Sequence, residues 1–194
     1  MTALAVLPPG ADDTQLVRRA REGDLSAFEA LVSRYRDQVV RVATRIVGRD
    51  EAEDVAQDAL LRAFHNLQSF RGDAPFRSWL LRIVHNMSID ARNRRTPIPI
   101  EVDDGVTAEV PDSPRPASTL EQHERSNRMA LKIRGLKPEH RAVLVLRDLE
   151  GLAYDDIARI TETPIGSVKG RLHRARKELI EALRNNTYDW ELPR

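Results

Sequence analysis

The sequence predicts an all-α protein built as two helical domains joined by a flexible linker. Three observations carry this. Apolar residues recur at helical spacing along most of the 194 residues. Aromatic residues make up only 5% of the chain, which suits helices better than a sandwich of strands. The periodicity then stops over residues 96–117, where Pro97, Pro99, Pro111, Pro114 and Pro116 stand among acidic residues.

Each element follows in order. Residues 1–11, interrupted by Pro8-Pro9-Gly10, read as disordered. Asp12 or Asp13 caps a short helix carrying Leu16, Val17 and Ala20. Gly23 breaks it, and Asp24 caps a long helix, Leu25 to Val47, with Phe28, Leu31, Val32, Tyr35, Val39, Val42, Ala43 and Ile46 in 3.6-residue register. Gly48 ends that helix and Asp50 opens the next, through Ala52, Val55, Ala56, Ala59, Leu60, Ala63, Phe64 and Leu67. SFRGDAP, residues 69–75, is a loop. A helix from Phe76 to Arg95 completes a first domain, 12–95, and Trp79 on its apolar side with Leu80 and Ile83 is expected in the core. After the linker the second domain is expected over 118–186, with helices at Thr119–Ile133 and Glu139–Leu149, and a tail at 187–194.

The last part of that domain carries the sharpest signal. GLAYDDIARITETPIGSVKGRLHRARKEL, residues 151–179, reads as a short helix, a tight turn and a basic helix. Pro164 suits a helix start, having no N–H to leave unpaired. Residues 165–184 hold six Lys or Arg against two Glu, although the whole chain is nearly balanced at +1. This is the pattern of a DNA-binding helix-turn-helix.

Other chemistries lack support. With no cysteine there is no disulfide or thiolate site. His65, His85, His123, His140 and His173 show no metal-binding spacing, and no P-loop or nucleophile elbow occurs. No catalytic residue, metal or cofactor is read. No apolar run is long enough for a membrane span, and MTALAVLPPG makes a poor signal peptide. A cytoplasmic protein is expected.

Both halves resemble the extracytoplasmic-function sigma factors, the bacterial RNA polymerase initiation subunits. DLSAFEALVSRYRDQVVRVATRIVG, AEDVAQDALLRAF and FRGDAPFRSWL resemble their region 2, and LKPEHRAVLVLRDLEGLAYDDIARITETPIGSVKGRLHRARKEL their region 4. The resemblance runs from Asp13 to Leu183, in the family order, and the subgroup most resembled answers envelope stress. It implies that Asp54, Gln57, Asp58, Leu61 and Arg62 dock on core polymerase (its β and β′ subunits). It implies that the loop holding Phe70, Arg71, Gly72 and Asp73 captures a flipped −10 base, a step that needs a fitted pocket. Asn86 would read a −10 base while Arg77, Arg82, Arg92, Arg94 and Arg95 meet phosphates. Arg147, Ser167, Lys169, Gly170, Arg171, His173 and Arg174 would serve the −35 duplex. A cognate anti-sigma factor is implied as a further partner, and the free chain is expected to be a monomer without membrane insertion. The acidic linker would thread toward the basic active-site channel of polymerase.

Two departures stand out. The family turn usually holds glycine where this chain has Glu162. A left-handed non-glycine costs about 1 kcal/mol or more, which points to a turn built differently. Gly170 offers no side chain, so one −35 contact is expected to be missing or made by backbone. Two rival classes remain: a stand-alone helix-turn-helix regulator binding duplex DNA without polymerase, and an interaction protein that has lost DNA binding. The first predicts a dimer seam, which the sequence lacks; the dense basic helix argues against the second.

Overall fold

The computed structural model describes residues 12–94 and 128–185, and every regular element among them is helical. The expectations for residues 1–11, Arg95, the linker 96–117, the first turns of the helix after it and the tail 187–194 lie outside the described residues.

In the first domain α1 (Asp13–Arg21) buries Leu16, Val17 and Ala20 against α2 (Leu25–Val47). Asp24 caps α2 as the sequence suggests. Its carboxylate accepts the N–H of Ser26 at 3.0 Å and of Ala27 at 3.3 Å, two groups that lack a helical partner. Gly48, at φ +103, ends α2 and starts α3 (Arg49–Asn66) within one residue. A Cβ there would stand 3.0 Å from the Arg134 guanidinium, so backbone angle and space both favour glycine.

The buried face of α3 is Ala52, Val55, Ala56, Ala59 and Ala63, small side chains that let it lie close to α2 and α4. A 3-10 turn, Leu67–Ser69, leads through the loop to α4 (Phe76–Arg94). Phe70, Phe76 and Trp79 join loop and helix, with ring centroids 5.2–5.8 Å apart in tilted and edge-on geometries.

The second domain contains α5 (residues 128–135), α6 (Pro138–Leu144), α7 (Tyr154–Ile160) and α8 (Ile165–Arg184). The helix expected over 139–149 starts at Pro138 and changes pitch part-way. Beyond Leu144 the chain widens into a π-helical turn, Val145–Leu149, where the Glu150 N–H reaches back to the Val145 carbonyl at 3.0 Å. The extra residue in that turn lets Gly151, at φ +69, reverse the chain into α7.

Arg141 ties the domains together. Only 2% exposed, it donates to the carbonyls of Ile133 (3.1 Å), Leu136 (3.0 Å) and Arg134, and to Ile46 of α2 at 2.7 Å. Burial, then Arg92 and Arg134, push its pKa down to about 9, so it stays cationic at neutral pH. Further along the junction, α4 packs across α7.

Candidate nucleic-acid interface

On the outer side of α3, Asp54, Gln57, Asp58, Leu61 and Arg62 are all exposed, opposite the alanine stripe. Leu61 is 51% exposed and so is no part of the core. Phe64, one turn on, is 38% exposed and leans on Phe28 with ring centroids 4.9 Å apart. Periodicity assigned Phe64 to the apolar face. Its exposure instead extends the Leu61 patch, three residues along the same helix.

The loop offers Arg71, Gly72 and Asp73 to solvent, and Gly72 takes φ +80 with open space around it. Phe70 does not share that role. It is buried, edge-on to Phe76 and against Trp79, and so anchors the loop to α4.

Beyond the loop, α4 presents an exposed Asn86, 3.1 Å from the His85 Nδ1. A cleft of about 250 Å³ lies beside it, lined by Arg62, Trp79, Arg82, Ile83, Asn86, Met87 and Asp90. Arg94 is exposed near the helix end. Arg92 is turned toward the second domain, where burial and the Arg134 guanidinium lower its pKa. The residue is half-buried at the domain junction.

The helix-turn-helix is α7, residues 161–164 and α8. Glu162 stands at φ +51, so the turn keeps the left-handed residue and the expected departure does not occur. The surrounding bonds impose it. The Thr163 N–H donates to the Ala158 carbonyl at 3.0 Å, and Arg171 donates to the Thr163 hydroxyl at 2.9 Å. Val168, Leu172 and Ala175 anchor α8 in the core. This leaves Ser167, Lys169, His173 and Arg174 exposed on one side, with Gly170 and Arg171 half-buried between them. Arg147 donates to the Leu152 carbonyl at 2.7 Å. Arg176 makes a two-point pair with Asp148 at 2.6 and 2.9 Å, which raises its pKa.

One cluster was not read from the sequence. The Glu150 side chain, 4% exposed, crosses to the first domain. It accepts from Gln38 at 2.9 Å, Arg45 at 2.9 Å and Arg41 at 3.5 Å. Arg77 donates to the Glu150 carbonyl at 3.0 Å and to Gln38 at 2.9 Å. Farther along the same junction Ser78 donates to Asp156 at 3.0 Å, and Arg82 pairs with Glu162.

The family model for Sigma-70 region 2 matches residues 31–97, and that for Sigma-70 region 4 matches residues 126–179. The ECF RNA polymerase sigma-E factor of Haemophilus influenzae is 37% identical over 177 residues, covering 87% of this chain and 93% of the relative. The chain belongs to the extracytoplasmic-function sigma factors. Among solved structures, CnrH in complex with the cytosolic domain of CnrY aligns at TM-score 0.69 and 28% identity, over 90% of this chain and 99% of that one. The sigma factor RpoE in complex with the anti-sigma factor NepR from Bartonella quintana aligns at 0.63 and 25%, over 82% and 98%. With both family regions in one chain, the stand-alone regulator is not favoured. This sigma factor therefore directs promoter-specific initiation by RNA polymerase, region 2 being the first helical domain and region 4 the second.

Proposed function

We propose that Asp54, Gln57, Asp58, Leu61 and Arg62 bind core polymerase, that the loop at Arg71–Asp73 with Asn86 captures and reads the melted −10 strand, and that α8 reads the −35 duplex. The observation that carries the assignment is the division of exposed surface on one chain. The α3 face is solvent-facing and partly apolar. A cleft beside Asn86 opens along α4, and α8 turns its cations away from the core formed by Val168, Leu172 and Ala175. The boundaries 12–95 and 118–186 divide these duties, with 96–117 between them.

Control by a cognate anti-sigma factor is part of the reading. Support comes from the two-domain likeness to sigma factors solved with such partners. The factor itself is assigned no catalytic step. Among the described residues no helix is long and apolar enough to cross a membrane, in keeping with work alongside polymerase in the cytoplasm. The test is to mix the purified chain with core polymerase and a promoter library, then sequence the transcripts. Enrichment of a common −35 and −10 pair supports the reading. Duplex binding by the chain alone, with no polymerase-dependent transcript, overturns it.

A further inference from the structure

Guanidinium groups gather where α2 ends. The Arg141 group reaches the Ile46 carbonyl there at 2.7 Å. The Arg134 Nη2 lies 3.0 Å from where a Cβ on Gly48 would stand, so this guanidinium covers the Gly48 backbone. Arg92 joins them from the end of α4. Burial, then the Arg134 charge, lowers its pKa, and no carboxylate opposes them. Burial, Arg92 and Arg134 act in the same direction on Arg141. Arg141 is nevertheless satisfied, by the carbonyls of Ile133, Arg134, Leu136 and Ile46. Among the described residues, the side chains of Arg92 and Arg134 have no hydrogen bond or ion pair. One turn before Arg92, on the same face of α4, the Ser88 hydroxyl is fully buried and also lacks a partner.

Crowded cations and an orphaned hydroxyl share one remedy, an acceptor that carries negative charge. Buried polar groups are nearly always paired, and an orphan marks a place for a water or an ion. We propose that this junction binds a phosphoryl dianion, held by Arg92 and Arg134 beside the Ser88 hydroxyl. Each planar fork offers two parallel N–H groups, and a tetrahedral phosphate has oxygens enough for both forks, whereas a carboxylate fills one. A phosphate monoester carries about −1.5 to −2 near pH 7, which matches two guanidinium groups. Arg134 is positioned for this. Its carbonyl accepts from Arg141, and Gly48 has no side chain where the guanidinium lies. The ligand is free phosphate or the phosphate group of a small ester. Arg92 comes from the first domain and Arg134 from the second, so the anion bridges the two.

This site is independent of the −10 and −35 assignments, and its test contains no DNA or polymerase. Inorganic phosphate and phenyl phosphate are each titrated into the full chain by calorimetry, in chloride buffer at matched ionic strength. Melting temperatures are read in the same buffers. The native chain should bind one equivalent with a dissociation constant of about 1 mM or tighter. It should also melt higher with phosphate present, because a ligand of the folded form stabilises that form. Arg92→Gln with Arg134→Gln should weaken binding by about tenfold or more. Arg184→Gln, at the far end of α8, should bind as the native chain does. In chloride alone the double variant should melt no lower than the native chain, since it sheds like-charge crowding. Equal binding of both titrants supports a site for an esterified group, and binding of inorganic phosphate alone supports a site for the free anion. Absence of binding to either, or binding unchanged in the double variant, overturns the proposal. Lost binding together with a lower melting temperature in chloride assigns the two arginines to the fold and overturns it as well. Should the double variant fail to fold, the same readouts on Arg134→Gln, an exposed position, decide the matter.

Discussion

The Arg147 guanidinium lies over the Tyr154 ring, 4.5 Å from its centroid, and the Lys169 ammonium stands 5.6 Å from the same centroid. One ring thus meets a cation from before the helix-turn-helix and another from its recognition helix. Cation–π contacts contribute about 0.5–1 kcal/mol at exposed sites. Tyr154→Leu is expected to weaken −35 use several-fold, and Tyr154→Phe, which keeps the ring, to preserve it. Selecting a −35 library in the presence of polymerase checks this. Lys169→Ala and Arg174→Ala should relax preference at one or two positions, since a bidentate base contact is worth roughly 1–3 kcal/mol of discrimination. Arg184→Ala, at the far end of α8, should change the selected sequence little.

Polymerase docking is probed on α3. Asp54→Arg and Leu61→Arg are expected to lower recovery of core polymerase in a pull-down while circular dichroism stays helical. Both side chains are exposed, so neither change creates a cavity. Equal recovery with both variants would remove this face from the docking surface.

Promoter opening is a separate test. Arg71→Ala and Asn86→Ala should impair permanganate reactivity in the −10 region more than duplex binding, because base capture acts only after strand separation. Phe70→Leu should behave differently. Truncating a ring packed on Phe76 and Trp79 lowers thermal stability, by roughly 1–3 kcal/mol on the scale of core losses.

His85 gives a pH dependence. Burial pushes its pKa below the ordinary 6.5, Arg171 pushes the same way, and the Asn86 hydrogen bond and Glu162 oppose them. The folded form therefore favours the neutral ring. Its contribution is fully present above about pH 6.5 and is lost as pH falls toward the depressed value. Melting temperatures measured between pH 7.5 and 5.5 should fall more steeply for the native chain than for His85→Gln. Parallel curves for the two would assign the pH response to other groups.

Local rules made most of the helices legible. Asp24, Gly48 and the alanine stripe of α3 act within a few residues of themselves, so their effects can be read in order. Phe70 was harder: the family resemblance placed it in a base-capturing loop, and its burial depends on Phe76 and Trp79 arriving from α4. The Glu162 turn was misjudged because the cost of a left-handed residue is visible in sequence, whereas the bonds from Thr163 and Arg171 that outweigh it are tertiary. Glu150 had no local signal at all. Its partners Gln38, Arg41 and Arg45 lie more than a hundred residues away. Whether each exposed cation meets base or phosphate depends on DNA, and the fold alone does not encode that.

The carbonyls that converge on Arg141 come from the ends of two helices, α2 through Ile46 and α5 through Ile133 and Arg134. Each helix end carries about half a negative charge from its aligned peptide dipoles. Brought together in a dry place they repel, and the Arg141 guanidinium, bonded to both, offsets that repulsion. A lysine has the charge without the planar fork needed to serve several carbonyls at once. The pivot between the domains is thus an electrostatic joint. Removing the Arg141 cation strips both helix ends of their shared donor, so even a junction freed of every carboxylate would still depend on positive charge at that point to come together.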